Sequence, residues 1–425
     1  MSGMHSAFSS RAQWARLFLP FAIAYFLSYL LRNANAVISP VLTRELALSA
    51  SDLGLLTSAY FFAFGAFQIP LGMLLDRYGP RRVEASLMLF AAAGTLVFAV
   101  GESIGALAIG RGLIGLGVSA CLMAGLKHFS QWYPIERQSA MTGAIMAAGG
   151  LGAITASVPL EALLPVLGWR GVFVALTVII VTVAAFIYVF VPDRGETQPP
   201  ISMAEQWRGV AHIFVSRDFW RFGPLMALFP GGFMAVAGLW IVPWFIAVDG
   251  LTRDAAAFNL FVISVTQLAA FFVIALFATE MIRRGIEPSR LVGIALAISW
   301  LALVLAVAGV RPALPLWAAY SFCSAAATLL YAALGRFFPS ELYGRVSTAL
   351  NLLAFVGAFS LQWGLGILVD MFRAAEFTET GAFRSAFTIM AALQLLAWAW
   401  YYWGGRRRSP PGSTSQVKST STAAQ

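Results

Sequence analysis

Charge is the scarcest property of this chain. Only 11% of its 425 residues are Asp, Glu, Lys or Arg, against roughly 25% in ordinary soluble domains. With 60% of residues hydrophobic, a water-soluble globular domain, a disordered chain and a fibrous one are all excluded. Cysteine occurs twice, as Cys121 and Cys323, each inside an apolar stretch, which argues against a disulfide framework and a thiolate metal site. The three histidines, His5, His128 and His212, show no metal-ligand spacing, and no nucleophile motif stands near a base. No enzyme chemistry, cofactor or metal is therefore expected. A selectivity-filter loop and a ring of like charges are also missing, which argues against a channel.

What remains is apolar sequence in bilayer-sized pieces. A span needs roughly 20 predominantly apolar residues, and twelve such spans would consume nearly the whole hydrophobic inventory. Apolar runs fall near 17–39, 53–75, 83–101, 104–126, 140–164, 171–191, 222–247, 255–279, 291–309, 313–335, 346–369 and 385–403. The expected architecture is an all-α integral membrane protein with twelve transmembrane helices in two pseudo-symmetric six-helix bundles. The halves are 1–191 and 222–403, joined by a cytoplasmic linker over 192–221. The Ser/Thr-rich tail, 404–425, is expected to be disordered.

The net charge of +9 does not point to nucleic acid, because the basic residues sit in short loops between apolar runs. They report orientation instead. With the N-terminus inside, 20 of the 28 Lys and Arg residues fall on the inner side and six on the outer; Arg32 and Arg111 lie within spans. Both termini are expected in the cytoplasm. WYPIE (132–136) recurs as FFPSE (337–341), Arg77 and Gly79 as Arg283 and Gly285, and GWRGVF (168–173) as AFRSAF (382–387). Three echoes in order at nearly one offset indicate a duplicated six-span unit.

The loop after the second span reads GMLLDRYGPRR, Gly72 to Arg82. The pattern G-x-x-x-D-R-x-G-x-R-R resembles the signature of the major facilitator superfamily, and Arg111, Gly115 and Gly117 match that family's R-x-x-x-G-x-G in the fourth span. The resemblance runs from about Phe18 to Trp403. It implies a gating cluster of Gly72, Asp76, Arg77, Gly79 and Arg81 that latches the halves together on the cytoplasmic side when the protein opens outward. In the second copy Ile282 stands where Asp76 would be matched. The fifth span lacks the Gly-Pro pair frequent in the family's exporters, which counts against drug:proton antiport.

Charges inside a bilayer are costly and mark cavities or partners. Tyr25, Ser28, Tyr29, Arg32, Ala36 and Ser39 share one helical stripe on the first span, so Arg32 is expected to line an aqueous pathway. The run from Tyr25 to Phe61 resembles the anion:cation symporter branch of the superfamily. That resemblance aligns Tyr29 and Arg32 with its tyrosine and its carboxylate-binding arginine. Leu31 stands where the branch often has aspartate, and Ser28 replaces an asparagine. Glu84 and Glu161 are read as lying near span ends, within reach of water. No carboxylate is thus expected in mid-membrane, and dependence on a proton gradient should be weaker than in a typical proton symporter.

Arg111 competes with Arg32 for the central role. Trp240, flanked by Pro230-Gly231-Gly232 and Pro243, and the polar Gln267, Tyr331 and Asn351 complete the candidate substrate contacts. The expected protein is a secondary transporter of the inner (plasma) membrane that alternates access and imports or exchanges a small organic anion. The alternative is export of amphipathic or drug-like compounds. Its expected partners are the lipid bilayer, the substrate and a coupling proton or other ion, with no nucleic acid, and it is expected to act as a monomer.

Overall fold

The computed structural model describes residues 11–133, 135–192, 213–284, 287–338 and 343–405. Most of the expected linker and the tail beyond Gly405 lie outside the described residues. The described residues hold helices and no strands, as a bilayer demands of any chain that does not close into a barrel. We number twelve helices. They are α1 (Arg11–Leu46), then the run Ala50–Val100 divided into α2 (50–78) and α3 (80–100), and α4 (Ile104–Trp132, with a turn at 118–120). Next come α5 (Ile135–Thr155), α6 (Val158–Phe190), α7 (Arg217–Ala247) and α8 (Arg253–Arg283). The last four are α9 (Pro288–Val307), α10 (Ala313–Gly335), α11 (Tyr343–Ala374) and α12 (Glu379–Gly405). Eleven are long and apolar enough to cross a membrane, and α5 contributes the shorter apolar stretch Ala140–Thr155.

Gly79 divides α2 from α3 because its φ of 76° is open to glycine and strained for other residues. Pro80 follows at the first helical position, where its missing N–H costs nothing. The motif loop of the sequence is therefore a sharp reversal between two spans. A second positive-φ glycine, Gly168 (φ 63°), bends α6. The stretch 158–167 continues α5 after a break at 156–157, from beside Phe26 and Leu30 of α1 to beside Val41 and Glu45, and so completes the expected fifth span at 140–164. Glu161 lies in this last part of the span and pairs with Arg253 at the start of α8, 3.0 Å away. The seventh helix also begins earlier than expected, at Arg217, so 217–221 are helical rather than linker.

Small residues bring helix backbones together where larger ones would hold them apart. A Cβ at Gly115 on α4 would overlap the Tyr60 carbonyl of α2, and one at Gly117 would overlap Ala91 of α3. That is the structural role of the R-x-x-x-G-x-G pattern. The α2 and α11 helices cross in the same way: a Cβ at Gly54 would meet the Gln362 carbonyl at 2.7 Å, and one at Gly366 would overlap Ala50.

The two ends of the α2–α11 crossing differ. At the α1–α2 loop, Asp370 of α11 accepts the backbone N–H groups of Ala50 and Ser51 at 3.1 and 2.6 Å. Ser49 and Asp52 form a capping box at the same helix start, so the first N–H donors of α2 are satisfied jointly by its own cap and by α11. At the opposite end, by the α2–α3 bend, a Cβ at Gly72 would meet nothing within 4 Å. Gly72, in the expected gating cluster, therefore has no close helix neighbour in this arrangement. We refer to these ends as the Asp370 face and the Asp76 face.

Candidate functional site

The polar stripe of α1 faces inward. Tyr25, Ser28, Arg32, Ala36 and Ser39 are all buried, Arg32 with 7% of its surface exposed. Four aromatic rings surround its guanidinium. Its central carbon lies 4.5 Å from the ring centre of Tyr29, 5.4 Å from Phe64, 5.8 Å from Phe355 and 5.9 Å from Tyr60. Its Nε donates to the Tyr60 hydroxyl at 3.4 Å. Phe355 comes from α11, so the cage closes only when the last six helices meet the first six. Cation–π contacts contribute about 0.5–2 kcal/mol each when desolvated, which offsets part of the cost of burying the charge. Among the described residues no acidic side chain pairs with Arg32.

Arg111 has a different environment. Its Nη1 donates to the Leu31 carbonyl at 2.8 Å, and its guanidinium lies 5.1 Å from the same Tyr60 ring. It ties α4 to the backbone of α1 beside Arg32. Tyr60 thus stands between two buried guanidiniums, one fastened to backbone and one held by aromatic rings.

Several buried polar atoms nearby lack hydrogen-bond partners: the Ser28 hydroxyl, both amide atoms of Asn35 and Oε1 of Gln362. Leaving such a group unpaired costs about 1–3 kcal/mol. The π-helical turn Val236–Trp240 of α7 joins these elements. A Cβ at its Gly238 would lie 3.7 Å from the Arg32 carbonyl and 3.9 Å from Gln362 Nε2. Unpaired polar groups thus sit on α1 and α11, the helices that carry Arg32 and Phe355, and Arg32 has no acid partner among the described residues.

The other sequence candidates divide. Trp240 is buried and its Nε1 donates to the Gln362 carbonyl at 2.9 Å, which holds the interrupted α7 against α11. The Trp244 ring packs on Trp317 and Phe387, away from the cage. Gln267 accepts a hydrogen bond from Ser321 at 2.9 Å, a link between α8 and α10. Tyr331 donates to Asn351 at 2.9 Å, within electrostatic reach of Tyr29. Sequence reasoning missed Tyr60, Phe64, Phe355 and Asn35. Asn35 had a readable signal, three residues beyond Arg32 on the same helix face.

In the gating cluster, Asp76 is bonded to Lys127 of α4 at 2.5 Å, and Lys127 also donates to the Leu75 carbonyl at 2.9 Å. Arg77 lies 5.2 Å from the Tyr78 ring, and Arg81 donates to the Val191 carbonyl at 3.3 Å. These contacts stay within the first six helices. The reading of Glu84 as a water-accessible span-end residue is corrected: its side chain is fully buried.

The sequence profile described as Major Facilitator Superfamily matches residues 21–361. The chain belongs to the major facilitator superfamily. Membership sets it among multi-pass membrane transporters and not among enzymes. This superfamily member is 28% identical over 228 residues to a probable L-galactonate transporter of Escherichia coli K12, covering 49% of each chain. A probable sulfoacetate transporter of Cupriavidus necator is 30% identical over 155 residues, 36% of each. A hexuronate transporter of E. coli K12 is 32% identical over 130 residues, 31% of this chain and 30% of the relative. The chain thus spans about half the length, or less, of the curated relatives it matches. Among solved structures, a bacterial homologue of the human lysosomal transporter Spinster, inward-facing and unoccupied, superposes with TM-score 0.75 at 18% identity. That match covers 94% of this chain and 100% of the other. A D-xylose–proton symporter gives TM-score 0.71 at 15% identity over 90% and 96%. At such identities the likeness establishes the fold.

Proposed function

We propose that this protein is a secondary transporter that moves a small, polar organic anion by alternating access, with Arg32 as the anchor of the substrate's acid group. The carrying observation is the Arg32 cage: a buried guanidinium at the junction of the two sets of six helices, held by aromatic rings and paired with no acid. A planar guanidinium matches a carboxylate bidentately, and a bound anion would supply the missing counter-charge. The unpaired atoms of Ser28, Asn35 and Gln362 suit a substrate with hydroxyl groups beyond its acid. They disfavour the amphipathic, drug-like alternative. The names of the relatives, which include galactonate, hexuronate and sulfoacetate transporters, support the same class.

In this reading the Asp76 face is cytoplasmic, as the arginine distribution expects, and both termini lie on the cytoplasmic side of the inner membrane. The halves 1–191 and 222–403 rock about the Arg32 site. The state described is closed at the Asp370 face, where Asp370 caps α2 and Glu161 meets Arg253. Transport is tested by counterflow exchange of labelled galacturonate, L-galactonate and sulfoacetate in proteoliposomes. Arg32→Lys keeps charge but loses the fork, and should weaken affinity by about tenfold or more, the loss of one charge-assisted bond. Arg32→Ala should abolish exchange while the protein stays monodisperse. Normal affinity in Arg32→Ala would refute the assignment.

A further inference from the structure

One buried group plays no part in the site above. Glu84, in the first turns of α3, is the one acidic side chain that is fully buried among the described residues. Neither carboxyl oxygen has a partner with hydrogen-bond geometry. The titratable group that faces it is the thiol of Cys121 on α4, itself buried. From α1, Arg32 and Tyr25 lie within electrostatic reach of that same thiol. On its own helix the charged neighbours are Arg81 and Arg82, and Arg81 is turned to the Val191 carbonyl at the end of α6.

Resting on the transport reading, we infer that Glu84 binds and releases the proton that is coupled to substrate movement. A carboxyl sealed from water without a cation or a hydrogen-bond network costs several kcal/mol as a charge, and glutamine or leucine would fill the same space. Metal cations need several oxygen ligands at once; a single carboxyl facing a thiol cannot provide them. It can take one proton, the carboxylate becoming a carboxylic acid, with the Cys121 thiol unchanged.

The position also links the proton to the gate. Glu84 lies five residues after the Gly79 reversal, and Cys121 lies six residues before Lys127 on α4. Glu84 with Cys121 and Asp76 with Lys127 are therefore neighbouring contacts between the α2–α3 hairpin and α4. A deprotonated Glu84 needs water or a cation that this seam does not offer in its present packing. Losing the proton favours a rearrangement of the same seam that carries Asp76.

Two measurements on the full chain test the assignment. In infrared pH titration of the purified protein, the difference between wild type and Glu84→Gln should hold one titrating carboxylic-acid carbonyl band, which persists in Glu84→Asp and shifts in Cys121→Ala. In proteoliposomes, with galacturonate, L-galactonate and sulfoacetate as probes, Glu84→Gln should retain counterflow exchange. Its gradient-driven accumulation should fall to the level seen without a pH gradient. A Glu84→Gln protein that lacks no titrating band, or that still accumulates substrate under the gradient, overturns the proposal. If the wild type exchanges none of the probes, the transport reading fails for that class of anion, while the infrared result still decides Glu84.

Discussion

Asp370→Asn is the substitution that best probes how the protein closes. In the state described, the Asp370 carboxylate accepts two backbone N–H groups at the start of α2, at 3.1 and 2.6 Å. That helix end carries partial positive charge. Hydrogen bonds to a charged group contribute about 1.5–3 kcal/mol each. Asparagine retains one acceptor oxygen and loses the charge, so roughly one such bond is lost. Asp370 is partly open to solvent and shares its charge with Arg373, which places the net loss at the low end, about 1.5 kcal/mol. That is about a tenfold shift in population toward the state open at the Asp370 face. Ser39 on the α1 stripe is a buried reporter between Arg32 and that face. With Cys121 and Cys323 replaced by alanine, Ser39→Cys should react with an impermeant maleimide about ten times faster when Asp370→Asn is added. An unchanged labelling rate would show that the bonds to α2 are equally available in both states, and the latch argument would fall.

Three further outcomes follow from the same geometry. Asp76→Asn should shift the labelling rate by less than Asp370→Asn and in the opposite sense, because Asp76 is already bonded to Lys127 here and only the difference between states moves the equilibrium. Gly115→Leu drives a side chain into the Tyr60 backbone and should lower stability by about 1–3 kcal/mol or more, read as a fall in thermal midpoint. Glu161→Gln removes a partly exposed pair with Arg253 and should cost no more than about 1 kcal/mol, with gradient-driven uptake retained. Abolished uptake would return Glu161 to the coupling mechanism.

The reading of helices from sequence succeeded where the signal is local. The break between the second and third spans and the inward face of the α1 stripe follow from residues within a few turns of one another. It failed at Glu84. Distance from a span end measures depth along one helix, whereas water is excluded from Glu84 by α4 packed alongside.

The sequence by itself determined that the chain is a membrane protein of about twelve apolar helices whose first and fourth spans carry a deep arginine. Those properties depend on composition and on spacing along a single helix, and an apolar solvent enforces them locally. Tertiary structure decided what each buried charge meets. Phe355 completes the cage around Arg32 from the far half of the chain, and Asp370 caps a helix that begins 320 residues before it. Cys121, one helix on, faces Glu84. Burial and long-range pairing arise only when separate helices pack, because desolvation of a side chain is set by all of its neighbours at once, and no periodicity within one helix records them.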